Sequence, residues 1–195
     1  VKVQAAVQRW TDSSISKTAN APADFTVAQT AELYEKGFIS TNDFVAAFRA
    51  KYPAISATQF KKAWNSIILE FPEYRLEFLK NISTTKKYKL ILLSNTNALH
   101  IEQVIENMSL YRYERFKSYF DQFYLSHEIQ LRKPDPSIYE FVLKENKLEA
   151  SACFFVDDTK ENTKAAAQLG IHTWNNDPKK EDIITIFDQP LFTNP

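Results

Sequence analysis

The stretch Phe154-Phe155-Val156-Asp157-Asp158 joins an apolar run to two adjacent carboxylates. A continuous run such as Cys153–Val156 belongs to a strand buried on both faces. Two ionised Asp side by side repel each other and are disfavoured at low dielectric. A bound cation is one arrangement that makes such a pair favourable. The plainer arrangement has one Asp capping the next helix and the other solvated. Elsewhere Ser94-Asn95 closes the run Leu90–Leu93, and Lys133 stands in Arg132-Lys133-Pro134-Asp135-Pro136. A hydroxyl, an ammonium and two carboxylates suit a phosphate and a magnesium ion. The hydroxyl and the N–H groups of a helix start can bind phosphate oxygens. The ammonium neutralises charge on a transferring group. The carboxylates hold the ion, which keeps several waters and needs only one or two of them. Each residue also has an ordinary use: Ser94 as a helix cap, Lys133 as a solvated loop charge, and Thr159 and Asn162 as first-turn polar residues.

The elements that must position these residues follow from pattern. Residues 1–10 read as a helix with Val3, Val7 and Trp10 on one stripe, and 11–23 as a polar loop. Asp24 can cap a helix through about Lys36, which Gly37 would end. Ser40 with Asp43 and Ser56 with Gln59 are capping boxes. They precede apolar stripes Phe44/Phe48/Tyr52 and Phe60/Ala63/Trp64/Ile67/Phe71. Residues 1–71 thus read as helix after helix, with no strand, a small bundle. The aromatics Phe25, Tyr34, Phe38 and Trp64 are expected to fill that bundle's interior. Pro72 opens another helix with Leu76, Leu79 and Ile82. After it come strand 88–93, helices near 97–106 and 110–120, and strand 123–125. A helix at 136–146 follows, with Asp135 as N-cap and Pro136 in its first turn. Strand 153–156, helix 159–169 closed by Gly170, strand 171–174 and a helix near 179–187 complete the order. Strands alternating with helices predict an α/β fold with a doubly wound parallel sheet. In such sheets ligands bind beyond the carboxyl ends of the strands, where Ser94, Lys133 and Asp157-Asp158 all fall.

Composition narrows the classes. The 195 residues are 44% hydrophobic, enough for a sizeable core. Lys plus Arg and Asp plus Glu balance at 24 each, against a nucleic-acid partner, which needs a basic surplus or face. The chain has 2 Gly where roughly 14 would be average, so Gly-rich phosphate loops are absent. Runs such as Leu90–Leu93 are far too short to span a membrane. Cys153, in an apolar strand, reads as core. With no visible signal peptide, the expected address is a reducing cytoplasm.

Leu92-Leu93-Ser94-Asn95-Thr96-Asn97, Arg132-Lys133-Pro134-Asp135 and Phe155-Val156-Asp157-Asp158 resemble motifs two, three and four of the haloacid dehalogenase-like (HAD) hydrolase superfamily. Glu35-Lys36-Gly37-Phe38-Ile39-Ser40 and its neighbouring helices resemble the helical cap inserted after that family's first strand. The resemblance implies a Rossmannoid core with a helical-bundle cap, the cap at 11–71 and the core at 1–10 and 72–195. It implies a Mg²⁺-dependent phosphatase acting on a small phosphorylated metabolite through an aspartyl-phosphate. Ser94 would bind the phosphoryl group, with Asn95 helping through its backbone, and Lys133 would stabilise the phosphorylated intermediate. Asp157 would ligate Mg²⁺, and Asp158 would ligate it or orient a ligating water. Neither nucleic acid nor membrane is implied, and oligomeric state is left open.

One departure stands out. The family's first motif, a strand followed by Asp-x-Asp, has no counterpart here; Asp12 follows no apolar strand. The expectation is that an intact protein carries that strand and its nucleophile ahead of Val1. The alternatives are a fragment starting downstream, or a degenerate member acting as a non-catalytic binding or scaffold protein. The metal-free dehalogenase branch would leave Asp157 and Asp158 without a task.

Overall fold

A computed structural model describes residues 2–4 and 26–193, the first three by their backbone alone. The predicted helix at 1–10 is corrected where it can be seen. Lys2–Gln4 is a strand, β1, running parallel to β4 (Cys153–Asp157) with Gln4 opposite Phe155. Residue 3 is β-branched, and a β4 edge offers unpaired N–H and C=O groups, so pairing wins over a helical stripe. Residues 5–25 lie outside the description, including the loop at 11–23, the Asp24 cap and Phe25.

Three helices follow: α1 (Val27–Glu35), α2 (Thr41–Lys51) and α3 (Ala57–Asn65). The N-cap of α1 is Thr26, in a capping box with Gln29, rather than Asp24. Ser56 and Gln59 form the expected box on α3, and Ser40 caps α2. Tyr34, Phe44, Phe60 and Trp64 are buried together, with Leu99 from the following unit closing the cluster. Phe38 is exposed instead. The helix α3 stops at Asn65, so Phe71 is not on its stripe; it and Ile68 pack into the next core.

Helix α4 (Glu73–Thr85) leads to β2 (Ile91–Ser94), α5 (Ala98–Met108), α6 (Leu110–Lys117), β3 (Gln122–Leu125), α7 (Ser126–Ile129) and α8 (Pro136–Asn146). Then come β4, α9 (Lys160–Gln168), β5 (His172–Asn175) and α10 (Pro190–Thr193). The short α7 is absent from the sequence pattern. The predicted helix at 179–187 is a 3-10 turn, Ile183–Asp188, entered from a capping Asp182. Its run Ile183-Ile184-Thr185-Ile186 is β-branched, which weakens α-helix relative to a tighter turn.

All strand pairs among the described residues are parallel. One ladder runs β1-β4-β5 and the other β2-β3. Successive residues of each central strand face opposite layers, as period two requires. Leu90 and Leu92 pack under α4, α5 and α6, while Ile91 and Leu93 join Cys153, Phe155 and α8 residues. Phe154 and Val156 face a third cluster with Trp174 and Ile186. Hydrophobic layers on both faces are what a doubly wound sheet needs.

Candidate active site

The carboxyl ends of β2 and β4 meet through one side chain. Lys133 Nζ donates to the Leu93 carbonyl and to Asp157 Oδ2, both at 2.7 Å. Lys133 is 5% exposed and Asp157 7%, so this ion pair is buried. Lys133 is therefore not a solvated loop charge. A buried ammonium is tolerable only when paired and hydrogen-bonded, and both conditions hold here.

Each partner is fixed from behind. Asp157 Oδ1 accepts from the Thr159 N–H at 2.8 Å and from Asn162 Nδ2 at 2.9 Å. The Asn162 carbonyl accepts from Tyr139 Oη at 2.8 Å. Burial, and then the negative charge of Asp157, push the Tyr139 phenol above its ordinary range, so it stays a donor. Asn162 is thus part of the carboxylate's support rather than a plain first-turn residue. Asp158 is half-buried, with the Thr159 hydroxyl 3.4 Å from its Oδ1.

Asn95 grips the Lys133 peptide on both sides. Its Oδ1 accepts the Lys133 N–H at 2.9 Å and its Nδ2 donates to the Lys133 carbonyl at 2.8 Å. Ser94, buried, is the last residue of β2, one position beyond the carbonyl that Lys133 holds. It is not the helix cap: Asn97 takes that role on α5, accepting the His100 N–H at 3.1 Å. Ser126 Oγ accepts from the Thr96 N–H and donates to the Thr96 carbonyl, each at 2.9 Å. Asp135 and Pro136 start α8 as the sequence predicts. The Ser137 N–H bonded to Asp135 holds that carboxyl below its usual range.

Three contacts from the preceding helices reach this edge. Glu35 Oε2 accepts from Arg132 Nε at 2.6 Å. Trp64 Nε1 donates to Asn97 Oδ1 at 3.4 Å, and Tyr34 Oη accepts the Leu99 N–H at 3.1 Å. Glu35, Arg132 and His100 had no assigned role at the level of sequence. Adjacency to Lys133 is the one signal that could have picked out Arg132; Glu35 lies 97 positions away from it.

Donor chemistry at this edge fits a hard divalent ion: two consecutive carboxylates, where Mg²⁺ asks for one or two and keeps its waters. Among the described residues no group of three or more His, Cys, Asp or Glu is arranged to hold a metal.

The family of haloacid dehalogenase-like hydrolases matches residues 4–170. The chain belongs to that family. A HAD family enzyme of Bacteroides thetaiotaomicron, crystallised with magnesium and inorganic phosphate, superposes with a TM-score of 0.73 at 33% identity, covering 83% of this chain and 81% of that one. The D-ribitol-5-phosphate phosphatase of Bacteroides thetaiotaomicron is 28% identical over 120 residues, 62% of this chain. That match spans 57% of the phosphatase's own length. A predicted HAD-like hydrolase of Porphyromonas gingivalis, at 24% identity and a TM-score of 0.66, shares the fold. The HAD fold is an α/β Rossmannoid core with a helical cap, as the motifs implied. No described helix is long and apolar enough to cross a membrane.

Proposed function

We propose that this HAD member is a Mg²⁺-dependent phosphatase of a small phosphorylated metabolite. A phosphorylated polyol of the size of ribitol 5-phosphate is the first substrate to assay, given the named relative. The observation that carries the reading is the buried Lys133–Asp157 pair between the ends of β2 and β4. A cation and a carboxylate held at 2.7 Å away from water form a preorganised electrostatic site. On this reading Lys133 neutralises the phosphoryl group and Ser94 donates its hydroxyl to a phosphate oxygen. The Asn95 side chain keeps the Lys133 peptide in place, and the Asn95 backbone lies at the phosphate.

Asp157 and Asp158 would hold the Mg²⁺. Asp157, held by three hydrogen bonds from protein donors, would ligate the ion directly, and Asp158 would ligate it or orient a ligating water. When bound, the ion offsets charge on the phosphoryl oxygens. The attacking carboxylate belongs to the family's first motif; β1 carries Lys2, Val3 and Gln4 and supplies none. The proposed division keeps the cap at 11–71 and the core at 1–10 and 72–195. Helices α1 to α3 fall in the cap, and Ile68 and Phe71 are cap-side residues anchored in the core.

Turnover of an aryl phosphate and of ribitol 5-phosphate, with and without Mg²⁺, tests the reading, with intact mass recorded alongside. Metal-dependent release of phosphate is expected from the protein that carries the first motif. In it, Lys133→Ala should lower kcat by about 10²-fold or more, the usual cost of one electrostatic donor. Turnover unaffected by that change, or by removing the metal, would refute the assignment. Binding of phosphate and Mg²⁺ without turnover would favour a non-catalytic binding protein.

A further inference from the structure

The geometry points to Glu35 and Arg132 as positioning residues that couple the docking of α1 to the placement of the Lys133 peptide. The guanidinium of Arg132 has two clients. Its Nε donates to Glu35 Oε2 at 2.6 Å, and its Nη1 donates to the Lys133 carbonyl at 3.4 Å. That same carbonyl accepts from Asn95 Nδ2. The Lys133 peptide is therefore held between Asn95, at the end of β2, and Arg132, whose direction is set by Glu35.

Three features make this more than a surface ion pair. The Glu35 side chain is 9% exposed, so its carboxylate bears a desolvation cost that an exposed pair would avoid. Burial raises the Glu35 carboxyl and the Arg132 charge draws it back, so the two groups depend on each other. Glu35 is also the last residue of α1, and its chain leaves through Gly37, at φ +69°. A Cβ on Gly37 would lie 2.0 Å from the His127 carbonyl oxygen. The end of α1 is thus seated against α7 with no room to slide, and Glu35 is delivered to Arg132 at a fixed place. A planar fork can serve two acceptors in different directions at once; an ammonium on a flexible stem holds neither direction.

The phosphatase reading enters only in what Lys133 does; the coupling itself is separate from it. The test is amide hydrogen exchange over 131–135, with calorimetric titration of inorganic phosphate in the presence of Mg²⁺. Glu35→Ala and Arg132→Lys should each speed exchange at 131–135 and weaken phosphate binding about tenfold. Glu35→Gln, which keeps an acceptor for Nε, should restore most of the loss. The double variant should be no worse than the worse single one, because both act through one link. The proposal is overturned if Glu35→Ala loosens only 27–36 and leaves 131–135 at the wild-type rate, or if the two effects add. If the wild type binds no phosphate, the phosphatase reading fails while exchange at 131–135 still decides the coupling.

Discussion

His100 has no exposed surface and two ring nitrogens to satisfy. Asn97 Oδ1 accepts the His100 N–H and the Trp64 indole N–H, so its Nδ2 is left to donate to His100 Nδ1, 3.0 Å away. Nε2 lies 3.2 Å from the Trp64 carbonyl and must donate. The network therefore asks for a neutral ring protonated on Nε2, and a second proton on Nδ1 would face another donor. Burial lowers the His100 pKa from 6.5 to about 4. Between those values the unfolded chain holds the extra proton, so stability is complete above pH 6.5 and falls as pH drops toward 4. The expected loss is about 3 kcal/mol. Urea titrations at several pH values should show it, and His100→Asn should lack that part of the slope. Asp157→Asn is a second test at this scale. It leaves the Lys133 ammonium buried without its counter-charge and should cost about 3–5 kcal/mol of unfolding free energy, read by the same titrations. A midpoint near wild type would mean that Lys133 finds solvent instead.

Elements were legible where local chemistry is strong. Asp135-Pro136 fixes the start of α8, Ser56 with Gln59 the start of α3, and Gly37 and Gly170 take up the left-handed conformations that follow α1 and α9. Boundaries failed where long-range packing competes with periodicity. The pairing of β1 with β4 is invisible in three residues, and the 3-10 turn at Ile183–Asp188 replaces a helix. Gly37 shows how one backbone position can carry two demands, a positive φ and close approach to His127. Gly37→Ala should therefore destabilise by more than about 1 kcal/mol, the conformational part alone, with the clash added. Thermal melting would record this, and exchange in α1 should rise with it.

At the scale of the molecule, the proposed site lies where three connections converge on the ends of parallel strands. Lys133 ties the two ladders together across that edge, joining Leu93 on β2 to Asp157 on β4. A ligand that binds only the folded form must raise its stability. Inorganic phosphate with Mg²⁺ should therefore raise Tm, by about 2.7 kcal/mol of stabilisation when the ligand is at a hundred times its Kd. Lys133→Ala should remove that ligand-dependent shift, whatever it does to the unliganded melting point. A shift of the same size in the variant would place the anion elsewhere.

The sequence by itself determined the motif residues, their order, the helical caps and the α/β alternation, because each rests on spacing and turn chemistry within a few residues. What only the tertiary structure decided is who touches whom: that Lys133 is buried against Asp157, that Asn95 serves the Lys133 peptide, and that Glu35 reaches Arg132. Those contacts join positions 24 to 97 residues apart. No local periodicity carries them; they follow from which strand edges pair and which layers pack, a choice made by the whole chain at once.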